Sequence, residues 1–179
     1  TVGGCLIALD RFHPKTWWSD VKLSGATCLH YLGVMPTMLM HIAPSSEDKK
    51  HSVRFGFGAG VDPKIHQAFE TRFGIPLVEA WAMTETGAGA VIAANTDDRL
   101  IGQSSLGTPA ADISYKIVDD EGQKVPPNTP GELWVRRTDG EPKYGFFSHY
   151  FKDPDASAKA WEGGWFHTGD LVRQSENGD

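Results

Sequence analysis

The sequence predicts an α/β fold: a partial parallel sheet with flanking helices, followed by a small antiparallel β-barrel-like subdomain. Three observations predict it. Through the N-terminal half, short apolar segments alternate with helical ones over short connections, the order expected where helices pack on a parallel sheet. One of those helices, between Asp62 and Gly74, carries its own start and stop signals. From Ser104 onward helical periodicity is scarce, and turn residues separate segments in which apolar and polar residues alternate, as in half-buried antiparallel strands. The pattern starts to change near Asn95, and the divide is placed so that residues 1–103 belong to the α/β part and 104–179 to the β part.

Taken in order, Cys5-Leu6-Ile7-Ala8-Leu9 is short and apolar and fits a buried strand. His13-Pro14 opens a helix with Trp17, Trp18 and Val21 on its apolar side, and Gly25 ends it. Ala26 to Leu32 reads as a strand, Pro36 starts a second helix with Met38, Leu39, Met40 and Ile42, and Pro44 to Lys50 is a polar surface loop. Ser52 to Phe57 is a third strand, ending in Gly58-Ala59-Gly60. Asp62 then caps a helix with Pro63 at its first position, an apolar stripe of Ile65, Phe69 and Phe73, and Gly74 past its end. Gly74 to Val78 is the next strand, and the chain beyond it turns small at Gly87-Ala88-Gly89-Ala90. In the β part, Ile113, Tyr115 and Ile117 alternate, Asp119 to Gly122 forms a turn, Leu133 and Val135 alternate again, and Pro154 to Trp161 is a short helix.

Composition excludes several classes. The chain has 179 residues, a formal net charge of −6, 40% hydrophobic and 22% charged residues, the profile of an ordinary globular protein with no affinity for a nucleic-acid backbone. Two cysteines without CxxC spacing, Cys5 and Cys28, argue for a reducing compartment such as the cytoplasm and against a disulfide framework or zinc site. No apolar run has transmembrane length. The chain begins at Thr1 on an apolar segment and ends on an Asn177-Gly178 turn signal with nothing after it to pair, so it is expected to be an internal piece of a longer protein.

Two stretches invite chemistry. In Trp81-Ala82-Met83-Thr84-Glu85, a hydroxyl and a carboxylate follow a strand, where ligands bind in open α/β sheets. Thr84 and Glu85 read as a phosphate contact and a metal contact, or as a turn residue and a solvated acid. In Thr168-Gly169-Asp170 the carboxylate can accept from paired hydroxyls, such as those of a ribose, or close an Asx turn. Gly58-Ala59-Gly60 is a third, weaker signal.

Together these stretches resemble the adenylate-forming superfamily of AMP-binding acyl- and aryl-CoA synthetases, luciferases and peptide-synthetase adenylation domains. That family carries Tyr-Gly-x-Thr-Glu after a strand, Gly-Glu-Leu opening a later strand, and Trp/Tyr-x-x-Thr-Gly-Asp. Here they stand in the same order as Trp81 to Glu85, Gly131-Glu132-Leu133 and Trp165 to Asp170. Arg11-Phe12, Trp17-Trp18 and Tyr31 to Leu39 look most like the acyl-CoA synthetase branch, and within it the carnitine/crotonobetaine-CoA ligase subgroup. The resemblance implies ATP, magnesium and coenzyme A, with a small-molecule carboxylic acid as substrate. It makes Glu85 the magnesium residue and Thr84 the α-phosphate contact. Trp81 takes the place of the adenine-stacking tyrosine, and Glu79 that of a polar residue near the nucleotide. Gly58, Ala59 and Gly60 become the wall between adenine and acyl group, and Asp170 the ribose ligand. Ala80 and Ala82 stand where the family has glycines, each adding a methyl beside the nucleotide and acyl paths.

The same resemblance puts the phosphate loop upstream and a lid domain with the catalytic lysine downstream, so the piece alone is expected to be inactive. An adenylation domain loading a carrier protein, or a catalytically dead nucleotide- or acyl-binding module, are the alternatives; a tryptophan-rich carbohydrate module ranks last. His149 and His167 lack ligand partners at metal spacing, and Trp17 and Trp18 read as packing residues. The methionines, Met83 among them, read as core fillers, and the two cysteines as small buried residues.

Overall fold

The structure, a computed structural model, describes residues 3–94 and 99–178. The pattern change expected near Asn95 and the last residue after the Asn-Gly turn lie outside them. The described chain falls into two compact units. The first comprises residues up to Ala80 with those from Ala94 to Ser105; the second comprises Trp81–Ala93 with the residues from Leu106 on.

The first unit is built on β1 (Cys28–Leu32), β2 (Phe55–Ala59) and β3 (Leu77–Trp81), which run parallel in that order; β3 ends at the residue where the second unit begins. Around them lie α1 (Trp17–Ser24), α2 (Val34–Met40) and α3 (Pro63–Phe73). α3 forms as its sequence dictates. The Asp62 carboxylate accepts the Lys64 N–H, Pro63 occupies the first turn, and Gly74 takes the left-handed conformation that closes the helix. Its stripe delivers Phe69 and Phe73 to a core with Val21, Leu29, Tyr31, Leu39, Ile75 and Leu77, and Ile65 packs against that core. Trp18 stacks on Phe73 at 4.6 Å, and both Trp17 and Trp18 are packing residues.

Two ionic clusters pin α3. Glu70 accepts from Arg99 at 2.6 and 2.9 Å and from the Leu77 N–H, and pairs with the buried His66 at 3.1 Å. The His66 Nδ1 accepts the Gly102 N–H, so its proton is on Nε2, facing Glu70. Burial opposes the Glu70 charge, but the hydrogen bonds from Arg99, His66 and Leu77 outweigh it and hold the carboxyl at about 2. Arg72 binds Asp48 at 2.7 Å and the carbonyls of Met40, Ile42 and Ala43, so the loop expected to be merely solvated is tied to the helix.

Three expectations are corrected here. Cys5 to Leu9 forms no strand, and Leu6 is 90% exposed. A strand is stabilised by its ladder partner, and none of the described residues pairs with this segment. Cys5 and Cys28 are exposed rather than buried, Cys28 because β1 alternates and turns Leu29 and Tyr31 inward. Met38 is likewise largely exposed, on the side of α2 away from Leu39 and Pro36.

The second unit contains β4 (Ile92–Ala93) and an antiparallel sheet of β5 (Ile113–Val118), β6 (Gly131–Arg137) and β7 (Phe166–Val172), in the order β5-β6-β7. This sheet is open, not barrel-like: among the described residues β5 and β7 are not paired with each other, and beyond β6 the β5 strand has only an isolated bridge from Val118 to Lys124. Leu133 and Val135 alternate inward as expected and meet Phe166, Trp161 and Ile113 in a second core. α4 (Pro154–Lys159) is capped by Asp153, which accepts the Ala156 N–H. The Asp119–Gly122 turn is closed by the Gly122 N–H to the Asp119 carbonyl.

Arg99→Met in the intact protein would leave the Glu70 carboxylate buried without its cation, at a cost of about 3–5 kcal/mol in a denaturation midpoint. Because the folded-state pKa of Glu70 lies below its ordinary value of 4.5, its contribution is present above that pH and is lost as pH falls toward about 2. The acid limb of a stability–pH curve should therefore flatten in an Arg99→Met, Glu70→Gln double variant.

Candidate functional site

In the first unit the Gly58-Ala59-Gly60 stretch ends β2. A side chain at Gly58 would stand 2.0 Å from the Tyr31 carbonyl oxygen of β1, so only glycine admits this approach. Gly60 has φ +77° with open space where a side chain would project, so the turn itself requires it. Glu79, on β3, is 4% exposed and fixes that turn: its Oε2 accepts the Gly60 N–H and its Oε1 the Val61 N–H, both at 2.9 Å. Each carboxylate oxygen thus already holds a backbone donor, which makes Glu79 a clamp on the turn. Ala80 is buried beside it in β3, and Ala59 is exposed.

In the second unit, Trp81 is 7% exposed and packs with Ala90, Ile92 and Phe166. Its indole N–H donates to Asp170 Oδ2 at 2.7 Å. The loop that follows is shaped by Thr86, which is fully buried. The Thr86 Oγ accepts the Met83 N–H at 3.0 Å and donates to the Met83 carbonyl at 3.1 Å. Thr84 and Ala82 are exposed, and Glu85 is half-buried. Met83 packs against the second core.

A separate segment grips this loop. The Gly145 carbonyl accepts the N–H groups of Ala88 and Gly89, and the Phe147 N–H donates to the Glu85 carbonyl at 2.8 Å. A side chain at Gly89 would lie 2.3 Å from the Phe146 ring, so the small run after Glu85 is what admits the segment. The Tyr150 hydroxyl donates to Glu85 Oε1 at 3.1 Å, and burial together with that carboxylate pushes the phenol pKa up.

Asp170 is placed by β6. Register shifts between Glu132 and Trp134 where β7 carries Thr168-Gly169-Asp170, a bulge-like irregularity with Gly169 at φ +72°. The Thr168 hydroxyl, buried, donates to the Leu133 carbonyl at 2.6 Å and accepts the Asp170 N–H at 3.0 Å. Glu132 Oε1 accepts the Gly169 N–H at 2.9 Å. The Glu132-Leu133 pair and the Thr168-Gly169-Asp170 stretch are therefore two sides of one hydrogen-bonded knot.

The family model described as AMP-binding enzyme matches residues 1–144. The chain belongs to that family. Over 182 residues this AMP-binding chain is 31% identical to a crotonobetaine/carnitine–CoA ligase of Salmonella arizonae, covering 99% of the chain and 34% of the relative. A second such ligase, of Proteus mirabilis, is 31% identical over 180 residues with the same coverage. Among solved structures, the amide bond synthetase McbA of Marinactinospora thermotolerans superposes with a TM-score of 0.75 at 26% identity, covering 95% of this chain and 34% of that one. The anthranilate CoA ligase AuaEII in complex with anthranoyl-AMP superposes with a TM-score of 0.78 at 20% identity, covering 92% and 30%, a likeness of fold. The chain spans about a third of the length of the curated relatives it matches.

Within this chain the structure brings Trp81 and Asp170 into direct contact and leaves Thr84 exposed and Glu85 half-buried on the loop after β3, while Gly58, Ala59, Gly60, Glu79 and Ala80 lie in the first unit. Sequence reasoning did not find Thr86, Gly145 or Tyr150. Thr86 had one signal, a second threonine flanking Glu85; Tyr150 had none, because a contact across 65 residues leaves no local pattern.

Thr168→Val should keep the shape of the buried side chain while removing both of its hydrogen bonds. The expected cost is about 1–3 kcal/mol in a denaturation midpoint of the intact protein.

Proposed function

We propose that the intact protein is an AMP-forming, ATP-dependent carboxylate–CoA ligase, with this chain as part of its nucleotide-binding core. The observation that carries the reading is the anchored Asp170. Its Oδ2 holds Trp81 while Oδ1 accepts nothing from the described residues, in a chain whose family is AMP-binding and whose relatives are named CoA ligases. A carboxylate so fixed is a ready acceptor for ribose hydroxyls.

In this reading the oxygen of a small carboxylic acid attacks the α-phosphorus of ATP and pyrophosphate leaves. The thiol sulfur of coenzyme A then attacks the acyl carbon and AMP leaves. The residues of the chain act by position and charge. Asp170 orients the ribose, and Trp81 fixes Asp170 and lends an apolar edge where the family's tyrosine stands. Thr84 presents its hydroxyl to the α-phosphate. Gly58, Ala59 and Gly60 offer backbone toward the nucleotide, with Glu79 holding their turn; Ala80 is buried in β3, and Ala82 adds a methyl beside the loop.

Glu85 fits a magnesium site. Its Oε2 is without a partner among the described residues, and no cluster of three or more His, Cys, Asp or Glu surrounds it there. Magnesium takes one or two protein carboxylates and fills its other positions with water and phosphate oxygens. When bound, the ion would neutralise charge on the phosphates; Glu85 would hold it in place. Reactions of this kind, in fatty-acid metabolism of the cytoplasm, are the setting we assign. No described helix is long and apolar enough to cross a membrane.

The likeness to an amide bond synthetase favours a second reading, in which the activated acyl group passes to an amine instead of a thiol. Product analysis with coenzyme A and with amines as competing acceptors separates the two. The adenylating half-reaction is common to both. In the intact protein, Glu85→Ala and Asp170→Ala should each lower carboxylate-dependent exchange of pyrophosphate into ATP by about a hundredfold or more. Exchange at the parent rate in both variants would refute the adenylating assignment.

A further inference from the structure

The roles above leave Tyr150 unused, yet among the described residues its hydroxyl is the side-chain group hydrogen-bonded to the Glu85 carboxylate. Its placement is not incidental. The Tyr150 N–H donates to the Ser157 hydroxyl at 2.9 Å, and that hydroxyl donates to the Asp153 carbonyl at 2.7 Å. The Asp153 N–H in turn reaches the Tyr150 carbonyl at 3.3 Å, and the Asp153 side chain caps α4. The tyrosine backbone is thus bound into the start of a helix. Its ring lies 4.7 Å from that of Phe147, whose N–H holds the Glu85 carbonyl. One segment therefore grips Glu85 twice, at the main chain through Phe147 and at the carboxylate through Tyr150.

We propose that Tyr150 is the positioning residue for Glu85, fixing the rotation of its carboxylate so that Oε2 is the oxygen offered to a divalent cation. The proposal rests on the reading of Glu85 as the magnesium residue. A glutamate has three rotatable side-chain bonds, and on an exposed loop its carboxylate is free to sample many directions. A phenol O–H donated to one oxygen selects one direction and leaves the other oxygen open. Partners of this sort, bonded to a ligating group and not to the metal, set metal affinity by orienting the ligand.

Tyr150→Phe in the intact enzyme removes the hydroxyl and keeps the ring against Phe147. Two readouts are needed. The first is binding of Mn2+ in the presence of ATP, followed by loss of the free-ion electron paramagnetic resonance signal. The second is the Mg2+ concentration giving half-maximal pyrophosphate exchange. Both should weaken by about tenfold in Tyr150→Phe. Exchange at saturating Mg2+ should stay within about twofold of the parent, since the ion once bound does the same work. In a Glu85→Ala background, Tyr150→Phe should add no further change. Metal binding unchanged or tightened in Tyr150→Phe, with Glu85→Ala still abolishing it, overturns the positioning role and leaves the assignment of Glu85 intact. Metal binding and exchange unchanged in Glu85→Ala overturn that assignment itself. A thermal midpoint lowered in Tyr150→Phe with metal affinity unmoved marks the tyrosine as structural and also overturns the proposal.

Discussion

The second unit depends on the buried hydroxyl of Thr168. It donates to a carbonyl of β6 and accepts the N–H of Asp170, so the place where the β6–β7 register slips is also the place where a carboxylate is held. A bulge frees residues from the ladder, and a freed residue on a sheet moves unless something else satisfies its backbone. Thr168 and Glu132 supply those partners. With its backbone fixed, Asp170 meets the Trp81 indole, which joins positions 89 residues apart. The loop from Met83 to Gly89 follows that tryptophan and is held in turn by Thr86, Gly145 and Phe147.

The two carboxylates of β3 and its following loop divide the labour by burial. Glu79 has both oxygens on backbone N–H groups of the turn after β2 and is shut from solvent. Glu85 is half-buried and keeps one oxygen open. A buried carboxylate without donors would be costly, and the Gly60 and Val61 N–H groups supply Glu79 with them. The same residue type six positions later, raised onto a loop, is free to meet a cation. Chemical identity therefore does not separate the two carboxylates; the number of protein donors on each oxygen does.

Much of the fold could be read from the sequence, and the reasons for what could not are local. α3 was readable to the residue because its cap, proline and closing glycine act within a few positions of each other. β5 and β6 were readable from alternation. The larger failures involve partners distant in sequence. Cys5 to Leu9 has the composition of a strand but no pairing partner among the described residues, and the barrel expected from turn-rich alternation is an open sheet, because alternation reports burial of one face and says nothing of edges. At the candidate site, sequence motifs single out Trp81, Thr84, Glu85 and Asp170. The hydrogen bonds that give them geometry run from Tyr150, Leu133 and Glu132 and follow from tertiary packing alone.

The tryptophan at position 81 has a consequence for Asp170. A phenol can donate or accept, so a tyrosine there would tolerate either a carboxylate or a neutral donor opposite it; an indole only donates. Trp81 therefore demands an acceptor, and the Asp170 Oδ2 supplies it at 2.7 Å. Meeting that demand leaves the indole edge pinned and its body in the core with Ala90, Ile92 and Phe166, so most of the ring surface serves packing. The tryptophan is best understood as the post on which the aspartate is hung.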